Sequence, residues 1–201
     1  MKIDEIKNKT LSMADKVCSM INLIKKGFME NKLEPLATAM KEESDINQME
    51  KSITGDILAL AAASKDEKEK RVLIIYQQVV EMLERMGDEA ANLVERIEIK
   101  VHEKLLFSDL GVEQFNETYD AMRRSVEMVK DFLSKQDASL KEKVIDNGFH
   151  VKDLVERYRN EHTGRVIKGL CTPIAANMFF DMLDFTGNLA RHSSSIVKLL
   201  G

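Results

Sequence analysis

Tryptophan is absent from this chain of 201 residues, proline occurs twice and glycine nine times. So few breakers exclude a turn-rich fold and leave room for long uninterrupted helices. Aromatic residues supply only 5% of the chain, so the core has to come from aliphatic side chains and from the twelve methionines. These methionines lie mostly at helix-core spacings, where they act as adaptable filler. The two cysteines, Cys18 and Cys171, follow no metal-ligand or redox spacing, which makes reduced thiols the expectation. An excess of either charge is also missing. Thirty-four acids face thirty basic residues for a net charge of -4, without the basic footprint of a nucleic-acid binder. The longest apolar run, Ile57 to Ala63, falls far short of the roughly 20 residues that span a bilayer. The opening MKIDEIKNKT lacks the apolar stretch of a signal peptide. The expectation is a soluble cytoplasmic protein that inserts no segment into a membrane and reaches one only through a partner.

Apolar residues recur at three- and four-residue spacings along six segments. The first helix is predicted from Ile3 to Asn31, with Ile6, Met13, Val17, Met20, Ile24 and Phe28 on its core face. Pro35 marks the first turn of a second helix that carries Ile46, Ile53 and Ile57 and frays near Ser64. A third is predicted from Asp66 to Leu106. Ser108 to Gly111 breaks the pattern, and a fourth helix then carries Phe115, Tyr119, Met122, Val126, Val129 and Leu133. Gln136-Asp137 is a predicted turn, followed by a fifth helix from Ala138 to Leu170. The sixth runs from Pro173 to Leu200, with Thr172 at the N-cap and proline at the first helical position. No segment alternates with period two, so strands are not expected. Short connections favour antiparallel neighbours. The fold class is therefore all-α, in two sequential antiparallel three-helix bundles, residues 1–108 and 109–201.

The most informative stretch is Leu83 to Glu95, LERMGDEAANLVE. Glu84, Asp88, Asn92 and Glu95 stack along one stripe of an otherwise apolar-periodic helix. Carboxylates there are either a solvated face laced with ion pairs, such as Glu81 with Arg85, or ligands for a cation. The two halves also echo each other. EMLERMGD at Glu81 resembles DMLDFTGN at Asp181, while a register three residues later matches NLVE at Asn92 to SIVK at Ser195.

Three stretches resemble the PhoU family of phosphate-uptake regulators, particularly the PhoU-like domain that accompanies sodium/phosphate cotransporters. They are ESDINQME from Glu43 to Glu50, LERMGDEAANLVE from Leu83 to Glu95, and a long third block. That block contains His162 to Arg165, Lys168 to Pro173, Phe179 to Leu183, Leu189 to His192, and Ile196. The resemblance implies two three-helix bundles related by an internal repeat. It implies a non-enzymatic adaptor that links a phosphate transporter or sensor kinase at the membrane to phosphate signalling. It also implies an iron or zinc site from acid-x-x-x-acid pairs on the second and third helix of each repeat. In the first repeat those positions hold Glu43, Asn47, Glu84 and Asp88. In the second they hold Gly148, Lys152, Gly187 and Arg191, so metal is confined to the first repeat, as weak or single-ion occupancy. Under the earlier register Asp184 and Asn188 would be the pair. Lys152 and Arg191 are either surface cations that reach out to water or a facing pair that holds an anion, phosphate being the candidate the resemblance suggests.

Competing readings are a di-iron carboxylate enzyme and a metal-binding or purely structural scaffold unrelated to phosphate. The first needs Glu-x-x-His pairs, and the residues three before His102, His150, His162 and His192 are Ile99, Asn147, Arg159 and Leu189. Ser193 to Ser195 lie within a helix without a recognisable base. The second remains open, because a scaffold also works by presenting helix faces. His162 and His192 fall on the family pattern, with packing or a polar contact as their expected role. Long amphipathic helices rich in methionine also leave homo-oligomerisation open.

Overall fold

The computed structural model describes residues 3–200, and within them there are six helices and no strand. They are α1 (Ile3–Glu30), α2 (Leu33–Ala63), α3 (Glu67–His102), α4 (Asp109–Lys135), α5 (Ala138–Ile167) and α6 (Pro173–Leu200). Their starts follow side-chain chemistry. Asp66 accepts from the Lys68 amide, Ser108 from Gly111, Asp137 from Ser139, and Thr172 from Ala175, each satisfying an otherwise orphaned donor. Pro35 lies in the first turn of α2, and Pro173 opens α6.

Two helices stop earlier than periodicity predicts. α3 closes after His102 rather than Leu106, and α5 after Ile167 rather than Leu170. Both ends are Schellman turns. In α3 the amides of Lys104 and Leu105 bond back to Val101 and Lys100, and in α5 those of Gly169 and Leu170 bond back to Val166 and Arg165. Gly169 takes the left-handed position with φ 69°, but in α3 that position is held by Lys104 with φ 51°, a residue that does not announce a helix end.

α1, α2 and α3 pack against one another, as do α4, α5 and α6. The two trios meet through α1 on α4 and α3 on α6, while α2 and α5 lie outside. The core runs through both trios without a break. Tyr119 of α4 is fully buried and donates its hydroxyl proton to the Ile21 carbonyl of α1 at 2.8 Å. Phe28, Phe115 and Tyr119 stack in sequence, with centroid separations of 4.6 and 5.4 Å. Phe107 of the α3–α4 connection joins Phe28 to Phe179 of α6. The predicted core face of α1 is buried as expected, and so is that of α4 except for Leu133, which is only partly covered. In the first turns of α3, Leu73 and Tyr76 face inward, whereas Val72 and Ile75 are only partly covered.

Glycine sets the closest helix approach in the first trio. A Cβ on Gly27 of α1 would lie 2.7 Å from Leu36 Cγ of α2. Gly55, exposed in mid α2, has nothing within 4 Å of its Cβ position. Gly27→Ala is expected to destabilise by about 1–3 kcal/mol through overpacking. Gly55→Ala should instead stabilise by roughly 0.5–1 kcal/mol through helix propensity. Urea midpoints of the two variants moving in the same direction would contradict this packing.

His192 of α6 is buried, and its pKa is pushed down to about 4 by desolvation first, then by the Arg191 and Arg85 cations. Above pH 6.5, the unperturbed value, both folded and unfolded chains carry it neutral. As pH falls from there toward 4, the unfolded chain gains a proton that the folded chain refuses, so stability is lost. The urea midpoint should fall across that window, and His192→Asn should flatten the fall. Parallel wild-type and variant profiles would remove His192 as the cause.

Candidate functional site

The acid stripe meets α2 along a seam. Ile46 Cγ2 would touch a Cβ on Gly87 at 3.2 Å, so the helices come close beside Glu84 and Asp88. Glu43, Asn47 and Glu50 lie a turn apart along α2. Glu84 is half-buried and its pKa is raised, first by desolvation and then by the charges of Asp88, Glu50 and Glu43, with Arg85 opposing. Asn47 donates to Glu43 Oε1 at 2.6 Å, while its own Oδ1 is buried without a partner. Further along, Thr54 donates to Glu50 at 3.0 Å, and Gln77 donates to Thr54 and to Glu81.

The stripe is not uniform. Asp88, Asn92 and Glu95 are exposed, and Arg96 pairs with Glu95 at 3.8 Å and with Asp181 of α6 at 3.0 Å. That part behaves as a solvated, ion-paired face. Among the described residues no three His, Cys, Asp or Glu side chains gather as a metal site. The donor set has two half-buried carboxylates, Glu43 and Glu84, and one free amide oxygen on Asn47. Oxygen donors are the kind that hard cations take. Glu50 was quoted in the motif but omitted from the candidate set. Its spacing of three from Asn47 was the available signal.

The second trio has a different seam at the equivalent place. Val144, Val151, Tyr158 and His162 are buried along α5 at the same spacing as Ala39, Ile46, Ile53 and Ile57 along α2. That match puts Gly148 and Lys152 opposite the places of Glu43 and Asn47. On α6 a Cβ on Gly187 would lie 3.4 Å from Val155 Cγ2, just as Glu84 lies near Glu50, which favours the later of the two registers. Gly148, Lys152, Gly187 and Arg191 all line one cavity of about 380 Å³. A Cβ on Gly148 would collide with Ser194 Oγ, so that glycine lets the helices close. Lys152 Nζ lies 3.7 Å from the exposed Glu156 carboxylate. Arg191 donates to Asn188 Oδ1 at 3.3 Å, and Asn188 donates to Glu89 of α3 at 3.1 Å. Glu89 was missed from sequence because it lies one residue off the acid stripe. Its pKa is raised, chiefly by desolvation.

His162 is buried with its ring 4.4 Å from Phe179 and 4.9 Å from Phe180, and Arg165 Nη2 lies 3.1 Å from its Nδ1. Desolvation, then the Arg165 charge, lowers its pKa. Its role here is packing with one polar contact. Ser193, Ser194 and Ser195 each donate to main-chain carbonyls of Leu189, Ala190 and Arg191, which is helix back-bonding and not nucleophile activation.

Residues 10–97 match the family model of the PhoU domain. A phosphate-specific transport system accessory protein PhoU homolog from Aquifex aeolicus (strain VF5) is 26% identical over 161 residues, covering 80% of this chain and 72% of its own. The crystal structure of PhoU from Pseudomonas aeruginosa superposes with a TM-score of 0.90 at 19% identity, over 98% of this chain and 94% of the other. That of the phosphate transport system regulatory protein PhoU from Streptococcus pneumoniae gives 0.86 at 16% identity, over 98% and 92%. At these identities the two structures establish the fold alone. The PhoU-domain match thus lies in the first half of the chain, and the similarity to the curated PhoU homolog extends across four-fifths of it.

Proposed function

We propose that this chain is a non-enzymatic regulator of phosphate transport and phosphate signalling. It works in the cytoplasm by contact with a membrane transporter or sensor kinase. The observation that carries this reading is the PhoU-domain match over residues 10–97. The relative from Aquifex aeolicus is named an accessory protein of a phosphate-specific transport system, and that role is carried over here. No helix among the described residues is long and apolar enough to cross a membrane, so the chain meets the membrane through its partner.

The end of the bundle where α3 and α5 finish supplies a surface for such contact. Leu106 is 91% exposed, Ile167 81%, Leu170 68% and Ile174 62%, and Leu106 and Leu170 line one shallow cavity. Exposed apolar side chains gathered at one place favour a protein partner over water. Any iron or zinc enters only as weak, single-ion occupancy, with Glu43, Asn47 and Glu84 supplying the oxygens and the exposed Asp88 adding charge. The cation would offset the mutual repulsion of these acids.

Leu106→Asp/Leu170→Asp is expected to weaken capture by membranes carrying the phosphate transporter by about tenfold, with helicity and thermal midpoint unchanged. Undiminished capture would remove this end as the contact. For the acid seam, protein purified without chelator should retain less than one equivalent of iron or zinc, and Asn47→Asp should retain more than wild type. Equal metal content in the two proteins would count against the seam as the site.

A further inference from the structure

We propose that the cavity between α5 and α6 binds a small organic anion, with an apolar body against its floor and an anionic head between Lys152 and Arg191. The inference stands apart from the regulatory reading. Its volume of about 380 Å³ falls in the range of small-molecule sites, which begins at roughly 300 Å³. The floor is apolar, from Ile145, Val155 and Phe149, and Phe149 is 60% exposed, so its ring is open to a ligand. The rim carries three cations, Lys152, Arg191 and Lys198.

Arg191 and Lys198 lie two helical turns apart on α6, with Ser194 and Ser195 between them, so their charges fall on one face. The acid at the rim, Asp184, is already engaged by Arg159. Among the described residues Arg191 makes one side-chain hydrogen bond, to Asn188, which leaves most of its guanidinium donors for a carboxylate, sulfonate or phosphate. Gly148 and Gly187 keep the space clear, because neither places a side chain in it. The equivalent seam of the first trio carries Glu43, Glu84 and Asp88 and repels an anion. One site per chain follows.

The probes are 1-anilinonaphthalene-8-sulfonate, its uncharged analogue N-phenyl-1-naphthylamine, and inorganic phosphate. The sulfonate should bind with one equivalent per chain. Lys152→Ala/Arg191→Ala, at two exposed positions, should weaken it about tenfold or more while leaving the uncharged analogue unaffected. Gly148→Leu should abolish binding of both. Phosphate should compete only at concentrations well above the sulfonate. The proposal is overturned if the double variant binds the sulfonate like wild type, or loses both probes equally. It is also overturned if phosphate matches the sulfonate in affinity, which would mark a bare oxyanion site that makes no use of the apolar floor. If Gly148→Leu fails to fold, the double variant alone decides.

Discussion

The hydrogen bond from Tyr119 to the Ile21 carbonyl is the constraint on which the arrangement of the two trios depends. A phenol that is fully buried must find an acceptor or leave a desolvated hydroxyl. Here the acceptor belongs to the other trio. The bond therefore fixes α4 against α1 in one register, and the aromatic rings beside it fill the same interface. Lys25 reinforces the junction by donating to Asn116 at 2.7 Å and lying over the Tyr119 ring. Within the first trio, Lys100 at the end of α3 sits over the Phe28 ring and bonds to Asn31. Aromatic packing and satisfied polar groups coincide at the α1–α4 junction.

Within that frame the two trios solve one geometric problem with opposite charge. In each, an outer helix must approach an inner helix closely enough to bury a narrow apolar stripe. In the first trio Gly87 accepts Ile46, and acids flank the contact on both helices. In the second, Gly148 and Gly187 let the helices approach, and cations flank the contact. The backbone approach is similar, so the chemistry is set by the side chains beside the glycines. Desolvation and the charges of Asp88, Glu50 and Glu43 raise the Glu84 pKa and leave the seam in want of positive charge. Three cations around the other seam leave it in want of negative charge. The fold thus carries two different surfaces from one repeated design.

Most of the fold was legible in the sequence because long amphipathic helices declare themselves by period. Ile6, Met13 and Val17 could be assigned to one face without any structure, and Thr172-Pro173 fixed a helix start to the residue. Helix ends were less legible. The apolar Leu105 and Leu106 continue the periodic pattern past His102, and Lys104 is an unusual occupant of a left-handed turn. The site was legible only in part. Spacing placed Glu84, Asp88, Asn92 and Glu95 on one stripe, but a stripe has a buried edge and a wet edge, and spacing alone does not say which residue lies on which. Glu84 turned out half-buried and the others exposed. In the second repeat the gapless register put Lys152 and Arg191 together, and both line the cavity. Phe149 and Lys198 were not singled out, since their nearness to that pair comes from how α5 and α6 cross.

The contact of α3 with α6 differs in kind from the aromatic end. Its polar groups are incompletely matched: Glu89 Oε2 and His192 Nδ1 are buried without partners. An unsatisfied buried polar atom costs on the order of 1–3 kcal/mol, so this interface is weaker than its apolar area alone would make it. The connection Glu89–Asn188–Arg191 crosses it and ends at the cationic rim, so the charge state of the rim and the packing of the two trios are coupled through one side-chain amide. The Arg191 charge lowers the pKa of both Glu89 and His192, so neutralising it favours protonation of each. The aromatic contact of α1 with α4 is fully satisfied, and the polar contact of α3 with α6 is not, so the first carries more of the attachment between the trios.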